Sequence, residues 1–215
     1  MPALKMPHEC SKGGCHVYLI EDDGALRAEL AETLMNAGLT VHAFDTAESC
    51  LDVGVDLSPA VIVSDMVLPG QSGIDLFKSI REQGIETPVV FISGYSEPKQ
   101  IIDGMKLGAV DFLWKPFKGE ALLDVIARSL KLDLDRQASL SVSTEIEARW
   151  MALSEREKDV AKLMLKGYGN KDMAAMLSIQ PDTANKHRMK VLKKMGVTSR
   201  PQLLELLKDC PLAQG

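Results

Sequence analysis

Short apolar runs alternate with helically spaced apolar residues along the first 130 residues; beyond Leu153 only the helical spacing persists. The runs Val17-Tyr-Leu-Ile-Glu21, Thr40 to Phe44, Ala60-Val-Ile-Val-Ser-Asp65, Pro88-Val-Val-Phe-Ile-Ser93 and Val110 to Leu113 predict five strands. Between them, Leu26, Leu30, Leu34 and Met35 mark a helix that Gly38 stops, and Asp45-Thr46-Ala-Glu48 predicts the capped start of a second. Ile74, Leu76, Phe77 and Ile80 mark a third helix, ended by Gly84. Ile101, Ile102, Met105 and Leu107 mark a fourth, and Leu122, Leu123, Val125, Ile126 and Leu130 a fifth. Apolar strands alternating with helices predict an α/β fold: a five-stranded parallel, doubly wound sheet over residues 16–135.

The pattern then changes. Residues 136–148 are polar and Ser-rich and read as a linker, in part an extension of the fifth helix. Ser154-Glu-Arg-Glu157 has the form of a capping box and opens a helix carrying Val160, Ala161, Leu163 and Met164, which Gly167 and Gly169 break. Lys171 to Leu177, Pro181 to about Met195, and a stretch from Ser199-Arg-Pro201 through Leu207 predict three more helices. Residues 149–215 thus form a small all-α four-helix domain, and its middle pair fits a helix-turn-helix. Residues 1–15 show no periodicity and read as a flexible tail.

Composition adds limits. An apolar share of 46% is enough for real cores. No apolar run approaches the roughly 20 residues of a membrane helix, and no leader-like apolar segment opens the chain, so a cytoplasmic protein with no membrane association is expected. The cysteines, Cys10, Cys15, Cys50 and Cys210, do not resemble a disulfide framework, and reduced thiols are expected. His8, Cys10, Cys15 and His16 are four zinc-ligand types, but their spacing matches no common zinc motif. The net charge of −5 conceals an asymmetry. Residues 1–130 carry 10 Lys and Arg against 19 Asp and Glu, whereas residues 131–215 carry 15 against 11. An acidic half followed by a basic half predicts two domains with different partners, the second anionic.

Candidate chemistry lies at the strand ends. In a parallel sheet, the ends at Glu21-Asp22, Asp65 and Ser93, together with Lys115 just past the fifth strand, share one edge. Carboxylates crowded there repel unless a cation neutralises them, and hard oxygen ligands suit Mg²⁺ better than zinc. A lone strand-terminal Asp is more often a turn cap, but Lys115 and Ser93 add a mobile cation and a hydroxyl donor. Together they are equipment for phosphoryl transfer to a carboxylate.

The acidic pair, Asp65-Met-Val-Leu-Pro-Gly70, Ser93-Gly94 and Phe112-Leu-Trp-Lys115-Pro116-Phe, in that order, resemble the CheY-like, flavodoxin-like receiver domain of two-component response regulators. The resemblance implies that Asp65 is the phosphoacceptor. It also implies that Asp65, Asp22 and the Val67 backbone carbonyl hold Mg²⁺, with Glu21 contributing through water. Ser93 and Phe112 are then the switch pair, and the Lys115-Pro116 bond is cis. Glu21 and Ser93 stand where Asp and Thr are commoner. A haloacid-dehalogenase-like phosphatase also phosphorylates a strand-end Asp, but needs a second Asp where this chain has Val67, so enzymatic turnover of a small substrate is not expected.

Leu153-Ser-Glu-Arg-Glu157, Gly167-Tyr-Gly-Asn-Lys171, Thr183, His187, Lys194-Met-Gly-Val197 and Ser199-Arg200 resemble the LuxR-type DNA-binding domain, and the whole chain resembles NarL/FixJ-type transcriptional regulators. By that resemblance Asn185, Lys186 and Met189 face base edges, while Lys171, Thr183 and Lys190 touch phosphates. Arg188, on the same basic helix, is expected among the DNA-binding residues, and Ala184 stands where the family usually has Val. The implied function is a phosphorylation-activated transcriptional regulator. Its implied partners are a sensor histidine kinase, a double-stranded DNA operator, a second copy of the chain on phosphorylation, and RNA polymerase. The alternative is a phosphate-independent receiver serving as an interaction module on a constitutive DNA-binding protein.

Overall fold

The run Ala60–Asp65 forms β3, buried along its whole length, and takes the centre of a five-stranded parallel sheet whose strands, counted in chain order, lie 2-1-3-4-5. The computed structural model describes residues 7, 10, 14–94, 98–208 and 210–213. Two compact units divide the chain, Met1–Gln137 and Ala138–Gly215. In the first, β1 (His16–Ile20), α1 (Gly24–Asn36), β2 (Thr40–Phe44), α2 (Ala47–Val53), β3, α3 (Gly73–Glu82), β4 (Val89–Ser93), α4 (Pro98–Lys106), β5 (Asp111–Trp114) and α5 (Gly119–Met151) follow in order. All pairings are parallel, with Ile20 opposite Ser64, Asp65 opposite Ile92 and Ser93 opposite Trp114. The expected shared edge therefore exists.

Successive strand residues point to opposite faces, and each face has its own core. Tyr18, Ile20, Ile62 and Phe91 pack with Ile74, Leu76, Phe77 and Ile80 of α3. Val17, Leu19, Val61, Val63 and Ile92 pack with Leu30 and Leu34 of α1 and with Leu122, Val125, Ile126 and Leu130 of α5. The sheet is thus doubly wound, as its apolar strands required.

Two features depart from expectation. Residues 136–148, read as a linker that continues the fifth helix only in part, are helical throughout, within the 33-residue α5. The helix is fixed at both ends. Its first part joins the second core of the sheet, and Ile146 and Trp150 join the core of the other unit. Cys10 and Cys15, expected to be reduced, are joined by a disulfide. They are accordingly no pair of zinc thiolates, and His8 lies outside the described residues. Cys50 and Cys210 are free and buried, and burial pushes the Cys50 thiol up to about 12.

The second unit contains α6 (Glu155–Lys166), α7 (Asn170–Leu177), α8 (Pro181–Met195) and α9 (Arg200–Leu207). The capping box is present: Ser154 Oγ accepts from the Glu157 N–H, and Glu157 Oε2 accepts from the Ser154 N–H at 2.9 Å. Lys194 Nζ reaches the same Glu157 oxygen at 2.7 Å, tying the end of α8 to the start of α6. Gly167 and Gly196 end α6 and α8 in the left-handed conformation, at φ 97° and 71°. Between them lies a core of Trp150, Val160, Met164, Met173, Ala184, Val191, Leu192 and Leu203.

Candidate functional site

Asp65 is the last residue of β3 and is 6% exposed. Its Oδ1 accepts from the Val67 N–H at 2.8 Å, and its Oδ2 accepts from Lys115 Nζ at 2.5 Å. The same ammonium lies 2.5 Å from Glu21 Oε2, so a single cation neutralises two buried carboxylates. Asp22 beside them is exposed. The ligand oxygens of Glu21, Asp22 and Asp65 lie within 4.8 Å of one another. Burial raises the Glu21 carboxyl above the ordinary range, against the opposing hydrogen bond from Lys115. Burial alone would lower the Lys115 ammonium, but its bonds to Asp65 and Glu21 outweigh that and hold it above the usual lysine value. Both partners of one ion pair shift upward because Glu21 is the more deeply buried and shares its cation with Asp65. Three hard oxygen donors with one side open to water fit Mg²⁺.

The surrounding backbone fixes these groups. Asp23, third in the acidic run, caps α1, accepting from the N–H groups of Ala25 and Leu26. This leaves Glu21 and Asp22 for the site. Arg27, unforeseen from sequence, donates through Nη1 to the carbonyls of Glu21 (2.6 Å) and Asp22 (3.3 Å) and pins the acidic loop. Gly73, also unforeseen, opens α3, and a Cβ there would lie 2.1 Å from the Asp65 carbonyl oxygen. Gly70 has φ 77°, and a Cβ on it would meet Glu48 Oε1 at 2.8 Å, where that carboxylate accepts from the Gln71 N–H. The Lys115–Pro116 bond is cis, as the resemblance implied.

Ser93 ends β4, fully buried, and its carbonyl accepts from the Lys115 N–H at 2.8 Å. Phe112 lies on β5 opposite Phe91, half-buried against the first core. Its ring meets Trp114 edge-on, 4.9 Å between centroids. Glu21, Asp22, Asp65 and Lys115 are thus brought into one cluster. Ser93 is on the adjoining strand end and Phe112 further back along the neighbouring strand.

In the second unit α7, a turn through Ser178 at φ 52°, and α8 make a helix-turn-helix. Lys171, Asn185, Lys186, Met189 and Lys190 are exposed; Thr183 and Arg188 are half-buried. Arg188 Nη1 donates to Asn170 Oδ1 at 3.3 Å, and Asn170 Nδ2 donates to Asn185 Oδ1 at 3.1 Å, so these residues bridge α7 to α8. Ala184 is fully buried against the helix core.

A carboxylate cluster at the carboxyl edge of a 2-1-3-4-5 parallel sheet, carried with a basic helix-turn-helix, defines a response regulator with a DNA-binding output. Residues 17–127 match the response regulator receiver domain, and residues 151–207 match the bacterial regulatory proteins of the luxR family. The chain is 35% identical to transcriptional regulatory protein FixJ of Azorhizobium caulinodans, covering 88% of this chain and 90% of that one. To response regulator protein TmoT of Ectopseudomonas mendocina it is 36% identical, covering 90% and 89%. Among solved structures, response regulator StyR superposes with a TM-score of 0.83 at 32% identity, over 91% of this chain and 98% of that one. Full-length FixJ from B. japonicum gives 0.57 at 36%, over 90% and 95%. The chain belongs to the response regulators of two-component systems, as a FixJ-like transcription regulator with a receiver and a LuxR-type DNA-binding domain.

Proposed function

We propose that Asp65 accepts a phosphoryl group from a sensor histidine kinase and that this modification switches self-association and sequence-specific DNA binding. The observation that supports it is the Lys115 ammonium, held 2.5 Å from both Asp65 and Glu21. It is a cation beside a carboxylate at an otherwise acidic strand edge. Asp65 Oδ forms the new bond to phosphorus as the bond to the donor breaks, and Lys115 moves onto a phosphoryl oxygen. Transfer of this kind relies on positioning and charge neutralisation. Mg²⁺, held by Asp22, Asp65 and the Val67 carbonyl with Glu21 through water, would supply positive charge to the transferring group.

Ser93 then hydrogen-bonds the phosphoryl group and Phe112 turns inward. The face this alters runs from α4 to β5. Ile102, Met105 and Trp114 there are about half exposed, an apolar set in keeping with pairing of two copies. Glu97, just before α4, lies outside the described residues. In the DNA-binding domain, Asn185, Lys186 and Met189 address bases, Lys171, Thr183 and Lys190 address phosphates, and Arg188 braces the recognition helix through Asn170. The residues 16–135 act as the receiver, 149–215 as the output domain and 136–148 as a helical connection. The setting is the cytoplasm, with RNA polymerase as a downstream partner. Among the described residues no helix is long and apolar enough to cross a membrane.

The test uses a small acyl phosphate donor with Mg²⁺, followed by borohydride trapping and peptide mapping. The label is expected on Asp65 in wild type and nowhere in Asp65→Asn. Labelling elsewhere, or none in wild type, contradicts the proposal.

A further inference from the structure

We propose that Cys10 and Cys15 form a reversible redox site, closed by a low-molecular-weight disulfide such as oxidised glutathione, at the edge of the receiver core. The inference is independent of the phosphoryl chemistry. The match to the receiver family begins at residue 17, so both cysteines lie outside what that family prescribes.

The structure holds the two residues very differently. Cys15 is locked into the sheet: its carbonyl accepts from the Thr40 N–H at 3.0 Å, and it immediately precedes β1. Cys10 has no strand to hold it. Its N–H donates to the Pro7 carbonyl at 2.9 Å, and its own carbonyl lies beside Gly38, where α1 turns into β2. The disulfide joins this second residue to the first. Both residues are essentially inaccessible, 1% and 0% exposed, and both belong to the apolar cluster containing Val17, Leu34 and Leu39. The remaining cysteines, Cys50 and Cys210, are buried and unpaired. Folding thus selects one pair and brings it together at one end of the sheet. In a reducing compartment a disulfide of this kind is reversible rather than a permanent staple.

The chemistry balances as ordinary thiol–disulfide exchange. One cysteine thiolate attacks a sulfur of oxidised glutathione, forming a mixed disulfide and releasing one glutathione thiolate. The second cysteine thiolate attacks the protein sulfur of that intermediate and expels the other. The protein loses two electrons and two thiol protons, and one oxidised glutathione becomes two reduced molecules. Because both residues are buried once joined, reopening requires one of the two sulfurs to become accessible.

The full-length chain is equilibrated across a series of oxidised-to-reduced glutathione ratios, acid-quenched, alkylated and mapped by mass spectrometry, once folded and once in urea. The expected result is a Cys10–Cys15 disulfide that forms at a ratio about tenfold less oxidising in the folded chain than in the unfolded one. Cys50 and Cys210 stay as thiols in the folded chain. The oxidised protein should also melt at a higher temperature than the reduced one, a difference absent from Cys10→Ser. The proposal is overturned if folded protein keeps both thiols or stops at glutathione adducts. It is equally overturned if folding gives no advantage over the unfolded chain, or if the two redox forms melt together. Phosphoryl labelling of Asp65 is read separately and decides nothing about this site.

Discussion

A Cβ on Gly73 would lie 2.1 Å from the Asp65 carbonyl oxygen and 2.9 Å from Ser64 Oγ, so Gly73→Ala must push α3 away from the end of β3. Overpacking of this kind costs about 1–3 kcal/mol. Because the displaced backbone carries Asp65, phosphoryl labelling should fall more than stability does. Thermal melts and a labelling time course on the same samples check this; normal labelling would contradict the role given to the close approach. Lys115 makes a prediction of opposite sign for metal. Lys115→Met keeps most of the apolar stem but removes the cation shared by Glu21 and Asp65. Without Mg²⁺ the variant should lose about 1–3 kcal/mol, since two buried carboxylates are left to repel each other. Adding Mg²⁺ should then raise its melting temperature by more than it raises that of wild type, while labelling is lost. A smaller rise would mean that the lysine does not stand in for metal charge.

At the scale of elements, the informative one is α5. Residues 136–148 read as a linker only in part helical because they are rich in Ser and Thr, poor helix formers when unsupported. The structure shows the support. Asp133, fully buried, accepts at Oδ2 from Ser58 Oγ (2.8 Å), the Ala60 N–H (2.9 Å) and Gln137 Nε2 (3.0 Å). At Oδ1 it accepts from Arg136 Nη2 at 2.6 Å. This fastens α5 to the start of β3, while Ile146 and Trp150 fasten its far end, leaving residues 138–145 exposed in between. Burial would raise the Asp133 carboxyl, but these hydrogen bonds and the Arg136 charge outweigh it and hold it below the ordinary aspartate value. A depressed carboxyl stabilises the fold above its unfolded pKa, about 3.9, and loses that contribution as pH falls through the lower folded value. Asp133→Asn should therefore cost about 1–3 kcal/mol at neutral pH. The gap to wild type should narrow below about pH 4. Urea melts at several pH values measure it, and a gap that grew on acidification would contradict the assignment.

For the whole molecule, most of the fold and the heart of the site were legible, for identifiable reasons. Apolar strands such as Ala60–Asp65 announce burial on both faces, and a parallel sheet gathers their polar ends at one edge, so Glu21, Asp22, Asp65 and Lys115 could be assembled without coordinates. The Ser154–Glu157 box and the glycines at 167 and 196 mark helix ends directly, and those ends fall where expected. What stayed hidden depends on approach in space. Nothing in the spacing of Gly73 or Arg27 shows that one touches the Asp65 carbonyl and the other the Glu21 carbonyl. Nor does its place in the sequence show that Asp133 is buried. Cys10 and Cys15, five residues apart, carry no pattern that announces a bond. The charge asymmetry, by contrast, was readable and matters to function: contacts to DNA phosphates by the basic half predict binding that weakens steeply with salt.

The central claim is that a phosphoryl group on Asp65 controls what the basic half does. The measurement that meets it most directly is operator affinity of the full chain at fixed salt, with and without beryllofluoride and Mg²⁺, on an operator selected from random DNA. Wild type and Asp65→Asn are compared. The account predicts at least about tenfold tighter binding for treated wild type, a coupling of roughly 1.4 kcal/mol, and no change for Asp65→Asn. Equal affinities in all four samples would mean that the receiver does not gate DNA binding, and would favour the constitutive reading.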